Sequence, residues 1–482
     1  MAKILLIMPP WYMFFGDGFN EIPSGLCSIA GYLNDKGHEA FVYNADFNPG
    51  HGKGIGDFLD NYENYQEELQ NFNQPIWGKI GEQIEKMQPD IVGIHFKTGA
   101  YESVRHVARL TRTSSPKSLI IVGGPHPTVA PLETIRLPEI DIVVLGEGEI
   151  TTSEIADRSS FDFEEKIPGA LIKDNKGNII DGGYRPFIED LDDVGEPDRE
   201  HLINHNKYSP YAFGVIFTAR GCPYRCTYCV SKSIWSRKVR FRSPESIVTE
   251  IIHVHQRFGT KYFNFRDDTF TVDRKRTLEI CRLIKKRCPK IAWRCDTRAD
   301  RIDKDLAAAM RRAGCVQANV GIETGSSRIL KMIKKGETLE QISNGVKALK
   351  KNKIGISAFV MMGFPTETKE DVEATLTFAI GLKPHSLVMS ILTPYPGTEI
   401  HQQAKEQDIL PIEVPYSAYF HQSPKMGLMN LPQQEFSQFK KEIFARVDKY
   451  NRSLWRKAHR FSLIFTQNPK ASFERLISYI YN

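Results

Sequence analysis

The sequence predicts an α/β protein. A doubly wound, Rossmann-like parallel sheet (residues 1–150) is followed by a linker (151–210), a partial (β/α)6 barrel (211–400) and a helical C-terminal cap (401–482). Three observations carry that expectation. Short apolar runs alternate with helical stretches through the first 150 residues, the pattern of βαβ units. The alternation resumes six times from residue 215, which suits a parallel barrel left open. Beyond residue 400 the chain is mostly helical and rich in aromatics and lysine. At 482 residues it exceeds what one hydrophobic core organises, so several domains are expected.

In order, residues 3–8 form an apolar run closed by Pro9-Pro10, a buried first strand, and residues 26–36 form a helix stopped by Gly37. Residues 40–43, 90–96, 118–122 and 142–145 are further strands, with a helix at 101–111. Residues 47–88 are polar and helix-prone, an expected insertion on one face. An acidic stretch at 187–200 marks the linker, with one hairpin near Asn175-Lys176-Gly177. The barrel strands are 215–218, 262–266, 292–296, 317–322, 357–362 and 386–392, with helices such as 245–258, 274–287, 304–313 and 339–351 between them.

Composition is globular, and no apolar run is long enough to span a bilayer. The first apolar stretch is too short for a signal peptide, so a cytoplasmic location is expected. The net charge of +6 is spread along the chain, which gives no case for nucleic acid. In that compartment the eight cysteines are thiols or metal ligands.

Five cysteines stand singly and suit core packing, but Cys222, Cys226 and Cys229 crowd together directly after the first barrel strand. They therefore lie on a loop at the C-terminal mouth, where barrel active sites sit. Gly221 and Pro223 bend this stretch away from a helix. A structural zinc needs a fourth ligand. Cys281, His201 and His205 are the candidates, and a non-catalytic zinc-stabilised binding protein is the alternative from another class. An electron-transfer cluster takes four cysteines. Three leave one iron open, as catalysis requires.

This Cys-x3-Cys-x2-Cys spacing after strand one of a β/α barrel resembles the signature of the radical S-adenosylmethionine superfamily. The resemblance implies a [4Fe–4S] cluster on Cys222, Cys226 and Cys229 whose open iron chelates the methionine part of S-adenosylmethionine. An electron from an external donor such as flavodoxin or ferredoxin would then cleave the sulfonium to a 5′-deoxyadenosyl radical. The implied cofactor contacts fall at strand ends: Asp267 and Asp268 after the second, Arg298 after the third and Glu323 after the fourth. Gly363, Phe364 and Pro365 after the fifth resemble the adenine wall, and Tyr228 the aromatic beside it. Taken alone, each of these carboxylates reads equally as a helix cap or surface charge.

No N-terminal strand is followed by Gly-x-Gly-x-x-Gly, so a dinucleotide is not expected. The turns Gly123-Gly124-Pro125-His126 and Gly146-Glu147-Gly148-Glu149 let a flat, bulky ligand approach the backbone. With Pro23-Ser24-Gly25-Leu26 they resemble the cobalamin-binding domain of B12-dependent radical enzymes. The implied cobalamin contacts are Ser24, Gly25, Thr98, Gly123, Gly124, Pro125, His126, Gly146, Glu147 and Gly148. Asp-x-His-x-x-Gly, which supplies a cobalt ligand in other cobalamin proteins, does not occur.

Together the two resemblances imply a methyltransferase that acts on an unactivated carbon through the deoxyadenosyl radical and methylcobalamin. Tyr395, at the sixth strand's mouth, is the candidate to reach that space. A B12-dependent radical cyclase or rearrangement enzyme is the rival within the class. The substrate stays open among a peptide or protein, a natural-product intermediate and a lipid. Tyr416, Tyr419, Phe420 and Trp455 either line its pocket or pack the core.

Overall fold

The computed structural model describes all residues except 17, 50–61, 159–164, 411–413, 454–455 and 457–482, so Trp455 lies outside the described residues. Strands β1 (Lys3–Met8), β2 (Glu39–Asn44), β3 (Ile91–His95), β4 (Leu119–Gly123) and β5 (Ile142–Val144) pair in parallel in the order β2-β1-β3-β4-β5. β1 buries five of its six residues, as a strand covered on both faces must. The chain steps outward from β1 to β2 and returns across β1 to β3. Right-handed crossovers therefore put the helices Ser24–Asp35 and Pro75–Met87 on opposite faces.

The second of those helices was expected within a surface insertion, and the structure makes it the crossover itself. Trp77, Ile80 and Ile84 recur at helical spacing and are buried, against the helix Tyr101–Ser114. The hairpin expected near Asn175 is β6 (Ala170–Lys173) and β7 (Ile179–Asp181), whose turn is tied by Asp174 accepting from the Lys176 and Asn178 N–H groups at 2.8 and 2.7 Å. It is not confined to a linker. β6 pairs antiparallel with β5 and extends the first sheet to seven strands.

The second sheet runs β8 (Val215–Ile216), β11 (Tyr262–Phe265), β12 (Ala292–Thr297), β13 (Cys315–Glu323), β14 (Gly355–Met362) and β15 (Ser386–Ile391), all parallel and in sequence order. β8 and β15 are its edges, so the barrel is open. A two-stranded ribbon, β9 (Ala219–Arg220) with β10 (Arg240–Phe241), stands at its mouth. The five isolated cysteines are all buried, as their core reading requires.

The acidic stretch is a strap across a basic face. Glu196 meets His253 at 2.7 Å, Glu200 meets Arg257, and Asp192 accepts from the Ser243 N–H at 3.1 Å. Arg199 carries the strap inward to Glu250, at 2.6 Å with both side chains buried.

Beyond residue 400 the cap is helical over Gln433–Arg452, which packs on β15. Residues 414–432, by contrast, are irregular apart from one turn at Tyr416–Ala418 and clamp the two sheets together. The Tyr65 hydroxyl donates to the Ser417 carbonyl at 3.1 Å, and the Tyr416 hydroxyl to Glu133 at 2.8 Å. Phe420 is buried among Trp11, Phe15 and Tyr65, so these aromatics join the two units. Among the described residues no helix is long and apolar enough to cross a membrane.

Candidate functional site

A cavity of about 340 Å³ opens beyond the C-terminal ends of β1, β3, β4 and β5, where the strand order reverses and α/β sheets bind ligands. Its far wall belongs to the second unit: Phe217, Arg220, Gly221, Trp235, Arg266 and Asp268. Ser24, Gly25, Gly123, Gly124, Pro125, Gly146, Glu147 and Gly148 all line it. A Cβ added at Gly25 or Gly146 would meet no protein atom within 4 Å, so both leave bare backbone facing open space. Phe217 keeps 45% of its surface exposed against this space. Bare backbone, aromatic rings and a mostly apolar wall fit a large, flat ligand such as a corrin.

Thr98 and His126 lie behind that wall. His126 is buried against Phe96 and Tyr416, with Nδ1 3.3 Å from the Thr98 hydroxyl, and burial lowers its pKa to about 4, which keeps it neutral. His95 lines the cavity and was not singled out by sequence. Burial, aided by Lys97, holds it neutral too, at about 3.

Glu147 spends its carboxylate on protein. It accepts from Arg220 at 2.6 Å, from Arg240 at 2.8 Å and from the Ile188 N–H at 2.8 Å. Glu149 takes the second arm of Arg220 at 2.6 Å and the Ser28 hydroxyl at 2.9 Å. Burial alone would raise the Glu149 pKa, but Arg220 overcomes it and holds the carboxylate below its usual range.

The cysteine loop leaves the same ribbon. Gly221 sits at φ +100°, and a Cβ there would come within 2.4 Å of the Lys238 carbonyl, so only glycine turns this corner. Asp267 fixes the approach by accepting from the Thr218 and Ala219 N–H groups at 2.6 and 3.1 Å and from the Thr218 hydroxyl. Arg298 holds the loop's middle. Its guanidinium lies 3.7 Å from the Tyr224 ring centre and donates to the Lys335 carbonyl at 2.8 Å and to Asp300 at 3.0 Å. Both residues are thus occupied in placing the loop.

Cys222, Cys226 and Cys229 line a second cavity of about 450 Å³, with Cys229 exposed. Among the described residues no three His, Cys, Asp or Glu converge on one ion position. A [4Fe–4S] cube takes each thiolate on a different iron, so its three sulfurs stand apart. His201 is committed to Asp198 at 2.7 Å, and Cys281 is in the core, so neither completes a zinc site.

Glu323 ends β13 at φ +64°, beside a register shift, and accepts from Lys335 at 3.0 Å. Lys335, a buried cation that sequence gave no reason to choose, lies near Cys226, whose thiol it helps to pull down against burial. The Tyr228 ring meets Phe364 edge-on at 6.0 Å, and burial with Glu323 nearby keeps its hydroxyl protonated. Asp268 accepts from the Ser231 hydroxyl at 2.5 Å and faces the first cavity. Tyr395 enters neither cavity; its hydroxyl donates to the Tyr419 carbonyl at 3.1 Å.

Gly363-Phe364-Pro365 forms a turn around Glu367, which accepts from the Gly363 and Phe364 N–H groups at 2.6 and 3.1 Å. Its other oxygen is buried without a partner, and burial raises the carboxyl from 4.5 to about 8. An acid whose pKa rises on folding loses folded-state stability as pH climbs between its unfolded and folded values. Wild-type protein should therefore lose stability from about pH 4.5 to about pH 8 through this group. Glu367→Gln keeps an oxygen acceptor and cannot ionise. Its thermal midpoint should fall less steeply over that window; an identical slope would exclude Glu367 as the cause.

Comparison with known proteins agrees with this geometry. Residues 216–379 match the radical SAM superfamily and residues 17–156 the B12 binding domain. An uncharacterized methyltransferase of Pyrococcus horikoshii is 35% identical over 369 residues, 76% of this chain and 80% of the relative. The chain belongs to the cobalamin-dependent radical S-adenosylmethionine family. It is accordingly an enzyme of the radical methyltransferase group, with a [4Fe–4S] cluster, S-adenosylmethionine and cobalamin as cofactors. An anaerobic magnesium-protoporphyrin IX monomethyl ester cyclase of Cereibacter sphaeroides is 29% identical over 362 residues, 72% of this chain and 58% of the relative. The cobalamin-dependent radical enzyme OxsB, solved with aqua-cobalamin and S-adenosylmethionine, shares the fold at a TM-score of 0.71 and 15% identity, covering 100% of this chain and 75% of its own.

Proposed function

We propose that this enzyme transfers a methyl group to a carbon that carries no activating group. One observation supports this reading most: the glycine-rich turn at 146–149 lines one cavity together with Arg220 and Gly221, the residues that lead directly into the cysteine loop. The bound cofactors would supply a carbon-centred radical that takes a hydrogen atom and a methyl group that replaces it.

The chain's own residues hold these parts in place. Cys222, Cys226 and Cys229 would ligate the cluster. Glu323 would meet the ribose or the methionine amine, Asp268 the amino group, and the backbone of Gly363, Phe364 and Pro365 the adenine, with the Tyr228 ring beside it. Asp267 and Arg298 position the loop, through Thr218 and Tyr224 respectively. Ser24, Gly25, Gly123, Gly124, Pro125, Gly146 and Gly148 would form the corrin's bed, with Thr98 and His126 supporting it from behind. Tyr395 would brace the mouth through Tyr419 and stay out of the chemistry. The proposed domains are 1–150, 151–210, 211–400 and 401–482, with the β6–β7 hairpin favouring a first unit that continues to residue 181.

The proposed reductant is an acidic one-electron carrier of the flavodoxin or ferredoxin kind. Around exposed Cys229, the cations Arg225, Lys232 and Arg237 line the same cavity, each without an ion pair to a described residue. Glu399 and Glu406 lie there too, but Glu399 is paired with Lys334 at 2.5 Å.

The test is S-adenosylmethionine carrying a deuterated methyl group, given to anaerobically reconstituted enzyme with candidate substrates. Deuterated methyl in the product is the expected result. An unlabelled, dehydrogenated or ring-closed product would replace methylation with the cyclase chemistry of the Cereibacter relative.

A further inference from the structure

Four charged side chains join the two cofactor loops, apart from the aromatic cluster around Phe420 that also joins the units. Arg220 stands two residues before Cys222 and sends one guanidinium arm to Glu147 and the other to Glu149, each at 2.6 Å. Those carboxylates alternate with the glycines of the 146–149 turn. Arg240, the cross-strand partner of Arg220, grips Glu147 from the other side at 2.8 Å. The side chains of Arg220, Glu147, Glu149 and Arg240 are 17%, 4%, 4% and 1% exposed.

Such a network is a poor way to gain stability. Removing a charge from water costs several kcal/mol per ion, and apolar replacements of whole buried ion pairs are often neutral or stabilising by about 1–4 kcal/mol. A bidentate guanidinium does supply one thing an apolar contact lacks, a single allowed distance and angle between the loops it joins. Apolar side chains slide; a fork seated on two carboxylates does not.

We infer that the Arg220–Glu147–Glu149–Arg240 network is a spacer that sets the separation and tilt of the cluster loop relative to the corrin turn. Arg220 is on this account a positioning residue for both cofactors. The inference rests on the proposed reading that cobalamin lies over residues 146–149. In radical methyl transfer the substrate must give up hydrogen on one side and receive methyl on the other, so an error in spacing wastes the first event. A misplacement of about 1 Å costs reactions of oriented groups on the order of a hundredfold.

Arg220→Lys keeps the charge but removes the fork. A quadruple variant, Arg220→Met, Arg240→Met, Glu147→Met and Glu149→Met, removes every charge. Both are loaded with cluster and cobalamin, reduced to the low-spin Co(II) and one-electron-reduced cluster states, and the magnetic coupling between the two spins is measured without substrate. The wild type should show one well-defined coupling. Each variant should keep its metals and corrinoid yet show a shifted or spread coupling, and the quadruple variant should melt no lower than the wild type. With substrate, deoxyadenosine formed per methyl transferred should rise about tenfold or more.

Wild-type coupling in both variants would overturn the spacer, as would a quadruple variant that unfolds while Arg220→Lys couples normally. Failure of the methylation reading looks different. It would appear as unlabelled product from a wild type whose two spins are coupled at one fixed distance, and the spacer would survive it.

Discussion

Changing Cys222, Cys226 or Cys229 to alanine will abolish deoxyadenosine formation and leave corrinoid binding intact. In the proposed cluster each sulfur serves a different iron, so losing one would open a second iron and remove the unique site for the methionine chelate. The fold should barely notice. Two of the thiols are half-buried and one is exposed, and substitutions of that kind typically cost about 1 kcal/mol or less. The proposed corrin bed belongs to the other unit, at Gly25, Gly123 and Gly146. After anaerobic reconstitution, the variants should lose the sulfide-to-iron absorption and retain corrinoid through gel filtration. Deoxyadenosine at the wild-type rate from any of the three would refute the cluster assignment. Loss of both cofactors together would mean that the corrin's bed depends on the cluster loop.

That separation was legible in the sequence, because each half depends on local pattern. Alternating apolar runs located every parallel strand of both sheets, and the cysteine spacing located the loop. What sequence could not provide was the partner of each polar side chain. Glu147 belongs to a turn whose glycines suggested a ligand, yet its carboxylate is taken by Arg220, 73 positions away. Asp267 and Arg298 end strands as cofactor contacts would, and the structure commits them to Thr218 and Tyr224. Periodicity reports which face a residue occupies and is silent on what crosses from a distant strand to meet it. Lys335 shows the converse. In Ile333-Lys334-Lys335-Gly336 it looks like a solvated turn, and only the return of the chain beneath β13 buries it against Glu323. The helix Pro75–Met87 looked peripheral for a similar reason, since a crossover is defined by the strand it leads to.

A leucine at Gly25 will separate cobalamin binding from folding in the opposite direction to the cysteine variants. Gly25 is the second residue of the helix Ser24–Asp35, its φ needs no glycine, and an added Cβ would touch nothing. Replacing a helical glycine gains up to about 1 kcal/mol, so the cofactor-free protein should be as stable as the wild type or slightly more so. The new side chain must point into the cavity that Gly25 lines. If the corrin fills that space, overpacking costs about 1–3 kcal/mol. Affinity should then fall roughly 10- to 100-fold, with corrinoid lost on gel filtration. Gly78→Leu is the control: it sits exposed in another helix, also has no atom within 4 Å, and lines no part of the cavity. That variant should share any gain in stability and keep the corrinoid. Equal corrinoid affinity in Gly25→Leu and wild type would take the ligand out of this cavity, while the cluster beyond Arg220 would keep its place.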